Sequence, residues 1–119
     1  EGVTVKNSTV SNCDRSSVIT TYLYFTNATV KNCIVDECTV NSIDTAGAIL
    51  GYNNGHNFTM KGCKVLNTTI KSEEGNNKAG IFIGTWKDVG TLNSEGNTHS
   101  GSKAINGVEE TNNEIGRHA

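Results

Sequence analysis

Apolar residues recur every five positions along much of the chain. The segment "ATVKNCIVDECTVNS" places Val30, Val35 and Val40 at equal intervals of five. Neither a helix, with about 3.6 residues per turn, nor a flat strand, with a period of about 2, gives that spacing. A short extended piece turns residues i and i+2 to the same side, and a polar residue that tolerates unusual backbone angles then turns the chain. The pattern therefore predicts that each group of five forms one face of a β-solenoid.

Three segments of this kind align without gaps: "VTVKNSTVSNC", "ATVKNCIVDEC" and "FTMKGCKVLNT". The alignment puts Val5, Val30 and Met60 in one inward column of stacked parallel strands. It also predicts three coils over residues 3–27, 28–57 and 58–87, of which the first is the shortest.

The other half of each coil is built around glycine. "AGAILGY" is repeated later in the chain as "AGIFIGTW", and each copy has two glycines around a short apolar strand. The repeat aligns Gly47 with Gly80 and Gly51 with Gly84. Glycines in such positions indicate tight corners. The segments "YNNGHN" and "EEGNNK" are typical of loops and predict insertions at the edge of the coil.

The fold class predicted from these repeats is all-β, a right-handed parallel β-helix of about three to four coils, since parallel crossovers are right-handed. Residues 1–87 hold the solenoid repeats, and residues 88–119 are expected to form a partial last coil and a C-terminal cap or tail. A solenoid end requires a polar cap, and we expect this tail either to supply one or to run toward a neighbouring part of a larger protein.

The five-residue units resemble those of pentapeptide-repeat proteins. Their alternation with "AGAILGYNNG" is even more similar to the GLUG-type repeats of bacterial surface proteins, over about residues 3–87. The resemblance implies a secreted or cell-surface, adhesin-like protein and supplies no catalytic residues. We therefore expect a non-enzymatic extracellular module, structural or adhesive. The alternative is a fragment of a polysaccharide-processing β-helix enzyme or of a phage tailspike.

Charge and composition argue against two classes of partner. The formal net charge is -2 and no basic stripe is present, so we expect no nucleic-acid ligand. No apolar run is long enough to span a bilayer, so no membrane insertion is expected either. A glycan or another cell-surface ligand remains as the expected partner, and the chain is a candidate part of a larger protein or assembly.

The four cysteines lack the paired spacing of zinc ligands, so neither a metal nor a cofactor is expected. The alignment stacks Cys13 on Cys38 and Cys33 on Cys63, all at small inward positions. Buried thiols behave as small apolar groups, and stacked parallel side chains strain the torsion of a disulfide. We expect reduced core thiols, with disulfides as the alternative.

The acidic residues do not stack on one another in the alignment, as a pair of catalytic carboxylates would require, and they are expected to be solvated. Four N-x-Ser/Thr sequons begin at asparagines that are expected to serve the corners, where their side chains can cap exposed backbone groups. Their positions are Asn7, Asn27, Asn57 and Asn67.

Aromatic residues provide the candidate binding site. Tyr52 ends one glycine strand and Trp86 ends the next, so the two rings, with Tyr22 and Tyr24, would form a strip if they project from one edge. Flat rings stack on sugars, and amides nearby supply hydrogen bonds. The competing interpretation is that the rings cover apolar neighbours. The predicted ligand edge consists of Tyr52, Asn53, Asn54, His56 and Trp86.

Overall fold

The computed structural model describes residues 1–24, 27–54, 57–87 and 90–119, in which all regular structure is β. The first coil contains β1 (Thr4–Lys6), β2 (Thr9–Ser16) and β3 (Thr20–Tyr24). The second contains β4 (Ala28–Lys31), β5 (Ile34–Asp36), β6 (Thr39–Gly47) and β7 (Leu50–Asn54). The third contains β8 (Phe58–Lys61), β9 (Lys64–Leu66), β10 (Thr69–Ser72), β11 (Ala79–Gly80) and β12 (Ile83–Trp86). The fourth contains β13 (Leu92–Glu95), β14 (Thr98–Ser100), β15 (Lys103–Asn106), β16 (Glu109–Thr111) and β17 (Ile115–His118).

Successive coils stack as parallel strands in four sheets. Sheet I is β4, β8 and β13, sheet II is β1, β5, β9 and β14, sheet III is β2, β6, β10 and β15, and sheet IV is β3, β7, β12 and β17. β11 also pairs with β6, and β16 pairs antiparallel with β15. The chain passes through the four sheets in order and then returns to the first, which confirms an all-β solenoid of about four coils.

The corners on both sides of sheet II are turned by residues in the left-handed region. This backbone conformation is unfavourable for most residues but accessible to glycine and asparagine. Before sheet II they are Gly2, Asn32, Gly62 and Gly96, with φ from 54° to 71°. After sheet II they are Asn7, Glu37, Asn67 and Gly101, with φ from 47° to 64°. These include the last residue of several predicted fives, and the predicted corner role of Asn7 and Asn67 is confirmed.

The core is formed by the middle residues of the fives. Val30 pairs with Met60, Val35 with Val65, and Val40 with Ile70. All six side chains are buried. Burying a side chain of this size contributes about 1.5–3 kcal/mol, so these columns supply much of the stability of the middle coils.

The first coil differs from the predicted alignment. Val5 pairs with Val35 on sheet II, not with Val30, so the first coil is displaced by one unit of five from the predicted register. Tyr22 pairs with Tyr52 on sheet IV, so β3 has the same offset from the second coil as β1 has. The five-residue pattern allows both alignments, and the pairing of β3 with β7 in the glycine half selects the observed one.

The glycine half of the coil has the predicted register. Ala46 pairs with Ala79 and Leu50 with Ile83, as the alignment of the two glycine strands requires. Gly84 shows why glycine is required: a Cβ there would lie 2.5 Å from the Thr45 hydroxyl and 2.6 Å from the Gly51 carbonyl oxygen. The backbones of sheets III and IV therefore approach closely at this corner.

Polar ladders run along the corner before sheet I and along the corner after sheet II. The side-chain oxygen of Asn27 accepts a hydrogen bond from the Asn57 amide at 3.2 Å, and the Asn57 side chain accepts one from the Thr91 amide at 2.9 Å. The hydroxyl of Thr68 accepts the Cys38 amide at 3.3 Å, and that of Ser102 accepts the Thr68 amide at 3.1 Å. The sequon asparagines Asn27 and Asn57 thus satisfy backbone groups of the neighbouring coil.

The fourth coil is more complete than the sequence pattern predicts, since it supplies a strand to every sheet. Two of its inward positions are nevertheless polar: Ser94 pairs with Met60 and His99 with Val65. The next inward position, Ala104, is apolar, buried and paired with Ile70. The His99 ring packs edge-on against Phe82, with 5.7 Å between ring centres. Ser94 and His99 therefore place polar side chains over part of the apolar core of the third coil.

Candidate functional site

The structure separates the residues of the predicted ligand edge. Trp86 pairs with Asn53, whereas Tyr52 pairs with Thr85. Trp86 is only 3% exposed and Asn53 is fully buried, while Tyr52 is partly exposed. Successive residues of a strand point to opposite faces, so Tyr52 and Trp86 do not share a face although each ends a glycine strand. His56 lies outside the described residues.

Three tyrosines instead form one surface on the outer side of sheet IV. The rings of Tyr22 and Tyr52 are 5.4 Å apart, and those of Tyr22 and Tyr24 are 5.9 Å apart and nearly parallel at 12°. Tyr22 is 39% exposed and Tyr24 is 55% exposed. The cause is the register, because Tyr22 and Tyr52 are cross-strand partners in β3 and β7.

Arg15 completes this surface. Its guanidinium carbon lies 5.0 Å from the centre of the Tyr22 ring and 4.9 Å from that of Tyr52. A guanidinium over an aromatic face is held by the ring quadrupole, with a contribution of about 0.5–1 kcal/mol at an exposed site. We call Arg15, Tyr22, Tyr24 and Tyr52 the tyrosine surface.

A polar rim continues from the tyrosine surface toward the third coil. The Asn54 side-chain amide donates to the Tyr22 hydroxyl at 3.2 Å. The Lys87 ammonium donates to the Asn54 side-chain oxygen at 3.1 Å. Asn54 belongs to the predicted edge, whereas Arg15 and Lys87 were not predicted. The recurrence of tyrosine at Tyr22 and Tyr52 is the signal that would have identified the neighbouring strands, and thereby Arg15.

The cysteines divide into two classes. Cys33, Cys38 and Cys63 are buried and Cys13 is exposed, and all four are free thiols. The prediction that all four line the core is therefore wrong for Cys13. The pairing of β2 with β6 shifts on both sides of Cys13, which lies opposite Ser42 and not Cys38. Burial raises the pKa of the Cys63 thiol, so this group stays protonated and weakly nucleophilic.

One cluster of charges lies at the loop of the third coil. The Lys78 ammonium forms an ion pair with the Asp44 carboxylate and a second with Glu74 at 3.3 Å. The hydrogen bond to Asp44, aided by Glu74 and opposed by desolvation, raises the pKa of Lys78. A lysine held protonated in this way is not suited to act as a general base at neutral pH.

A groove crosses three coils at the corner between sheets I and II. It has a volume of about 330 Å³, and its lining residues are Lys31, Asn32, Lys61, Gly62, Glu95 and Gly96. Lys31, Lys61 and Glu95 occupy one outward row, in which Lys61 pairs with both neighbours. Lys6 does not belong to this row, because it lies opposite Asp36 on sheet II.

Residues 1–24, 27–54, 57–87 and 90–119 hold no group of three metal-ligating side chains. The same parts of the chain contain no helix that is long and apolar enough to cross a membrane. No protein-family model matches the chain, and no significant match is found among curated proteins or solved structures. The resemblance to GLUG-type and pentapeptide repeats stays a prediction.

Proposed function

We propose that this chain is a non-enzymatic extracellular β-solenoid module, structural or adhesive, that binds a glycan through the tyrosine surface. The observation that carries the proposal is the stacking of exposed aromatic rings in register on neighbouring coils. The ring centres of Tyr22 and Tyr52 are 5.4 Å apart, and those of Tyr22 and Tyr24 are 5.9 Å apart.

The chemistry of this surface suits a sugar. The face of a pyranose ring carries C–H groups that pack against aromatic rings, while its hydroxyls require hydrogen-bond partners. Tyr24 offers the most exposed of the three rings, and Arg15 and Lys87 are exposed donors beside them. Rings on adjacent strands are also spaced to contact neighbouring sugar units, because adjacent strands lie about 4.8 Å apart.

The charged cluster bears on the alternative of a polysaccharide-processing enzyme or tailspike fragment. Asp44, Glu74 and Lys78 bring two carboxylates and a base together, as hydrolysis or uronate elimination would require. Lys78 is engaged with both carboxylates, and its raised pKa keeps it charged. These contacts favour a structural ion pair over a catalytic site, and we therefore retain the non-enzymatic module as the better proposal.

The extracellular location in this proposal is supported by the resemblance to GLUG-type repeats of bacterial surface proteins. A buried thiol core is compatible with that location, because Cys33, Cys38 and Cys63 are each no more than 2% exposed. Side chains enclosed in this way react slowly with oxidants whatever the compartment.

The test compares the binding of two variants, Tyr24→Ala and its matched control Ile43→Ala, to an array of oligosaccharides. Ile43 is also an exposed apolar residue, 42% exposed, but it lies in sheet III. We expect Tyr24→Ala to lose about twofold to tenfold in affinity, since an aromatic contact contributes about 0.5–1.5 kcal/mol, with no change in melting temperature. Equal binding by both variants, or release of new reducing ends from the bound glycan, would contradict the proposal.

Trp86→Ala separates the two interpretations of the aromatic residues. Because Trp86 is buried, its truncation should lower the free energy of unfolding by about 3–5 kcal/mol. Binding by the fraction that remains folded should be unchanged. Loss of binding without loss of stability would instead indicate that Trp86 contacts the ligand.

A further inference from the structure

The groove between sheets I and II carries an unbalanced charge pattern. Lys31 and Lys61 are cross-strand partners, and like charges directly opposite each other are unfavourable. Lys61 is partly neutralised by Glu95, with 2.9 Å between the ammonium and the carboxylate. Among the described residues, no carboxylate neutralises Lys31. The row thus begins with an uncompensated positive charge and ends with a negative one.

Glycine makes room beside this row. Asn32, Gly62 and Gly96 occupy the same left-handed corner of successive coils. A Cβ at Gly96 would have no atom closer than the Gly62 amide nitrogen at 4.0 Å, so the groove is open at its Glu95 end. Asn32 occupies the same corner in the second coil, and its side-chain oxygen takes up the space beside Gly62, since a Cβ there would lie 2.5 Å from that oxygen.

From this geometry we propose that the groove binds a sulfate or carboxylate group of an acidic polysaccharide, bridged between Lys31 and Lys61. The strands that carry Lys31 and Lys61 are adjacent and about 4.8 Å apart, so the two flexible side chains can reach the oxygens of one oxyanion. Each contact is a charge-assisted hydrogen bond. Glu95 repels the anion and confines it to the Lys31 end of the groove.

The class of ligand rests on the proposed function, whereas the anion site rests on the groove itself. With a net charge of -2, the protein does not favour a long, densely charged strand such as nucleic acid. Two lysines on one side of the solenoid match a single acidic substituent of a sugar chain. The tyrosine surface, on sheet IV, is a separate element.

The experiment measures affinity by calorimetry for a sulfated oligosaccharide, an oligogalacturonate and a neutral oligosaccharide of the same length. Lys31→Gln should weaken binding of the acidic ligands about tenfold, as expected for loss of one charge-assisted hydrogen bond. Lys64→Gln, at an exposed lysine in β9, is the matched control and should stay within about twofold.

Glu95→Gln gives the sharpest result, because it releases Lys61 from its ion pair and should tighten binding of the acidic ligands severalfold. Equal effects of Lys31→Gln and Lys64→Gln, or no gain in Glu95→Gln, would overturn the site. Inorganic sulfate or duplex DNA binding as tightly as the acidic oligosaccharides would overturn the polysaccharide as the source of the anion. Tyr24→Ala tests the tyrosine surface alone, so failure of one site is distinguishable from failure of the other.

Discussion

The two halves of each coil turn the chain by different physical means. In the pentapeptide half, around sheets I and II, single residues with positive φ make the corners and branched apolar residues fill the core between them. In the glycine half, around the end of sheet III and sheet IV, the corner depends on backbones that nearly touch at Gly47, Gly80 and Gly84. The first half therefore tolerates exchange among several residue types, whereas the second permits glycine alone.

The comparison predicts the largest loss of stability in the glycine half. Gly84→Ala places a Cβ 2.5–2.7 Å from three atoms, two of which are backbone oxygens, so the free energy of unfolding should fall by more than about 3 kcal/mol. The control is Gly96→Ala, where φ is 65° and the nearest atom is 4.0 Å away. Chemical denaturation should show a loss of about 1 kcal/mol for the control. Similar losses in both variants would contradict the difference between the halves.

A smaller loss is expected where the loop of the glycine half is attached to β6. Lys78→Met removes the ion pairs with Asp44 and Glu74 and should reduce the free energy of unfolding by about 2 kcal/mol at pH 7. The folded-state pKa of Lys78 lies above its ordinary value of 10.5. The stabilisation is therefore fully present below the ordinary pKa and is lost as the pH rises through the higher folded-state pKa.

Denaturation of wild type and Lys78→Met between pH 7 and pH 12 checks this prediction. The difference between the two proteins should be constant up to about pH 10 and shrink above it. Lys64→Met, at an exposed lysine of β9, should show no such convergence. A difference that does not depend on pH would mean that Lys78 acts through packing of its methylene groups.

The smallest effect is a gain in the pentapeptide half. Glu37 has φ of 51°, and its column otherwise contains asparagine and glycine. Glu37→Asn should raise the free energy of unfolding by about 0.5–1 kcal/mol, because asparagine tolerates the left-handed region better. The reverse exchange, Asn7→Glu, should lower it by a similar amount. If neither variant shifts the denaturation midpoint, corner conformation does not limit stability in this half.

The sequence predicted the parts of the fold that depend on local chemistry. The alternation of small and branched residues predicted the inward columns, and the polar residue that ends a five predicted corners such as Asn32 and Glu37. The register between the two glycine strands was also correct, because Ala46 and Ala79 are true partners.

The parts that were missed depend on long-range register. A pattern with a period of five fits equally well when displaced by one unit, so "VTVKN" was aligned with "ATVKN" although Val5 lies on Val35. Similarly, Trp86 lies one position beyond Thr85, the true partner of Tyr52, and a single position is enough to exchange the two faces of a sheet. Arg15 reaches the tyrosines from another sheet, and no local motif indicates it.

The register of the first coil determines which of its side chains face solvent, and native thiol labelling followed by mass spectrometry measures that exposure. With Val5 on Val35 and Cys13 opposite Ser42, Cys13 faces solvent while Cys33, Cys38 and Cys63 are enclosed. We predict that iodoacetamide modifies Cys13 rapidly in the native protein and the other three cysteines only after denaturation. Protection of Cys13 together with Cys38, as the alignment of Val5 with Val30 requires, would contradict this structure of the first coil.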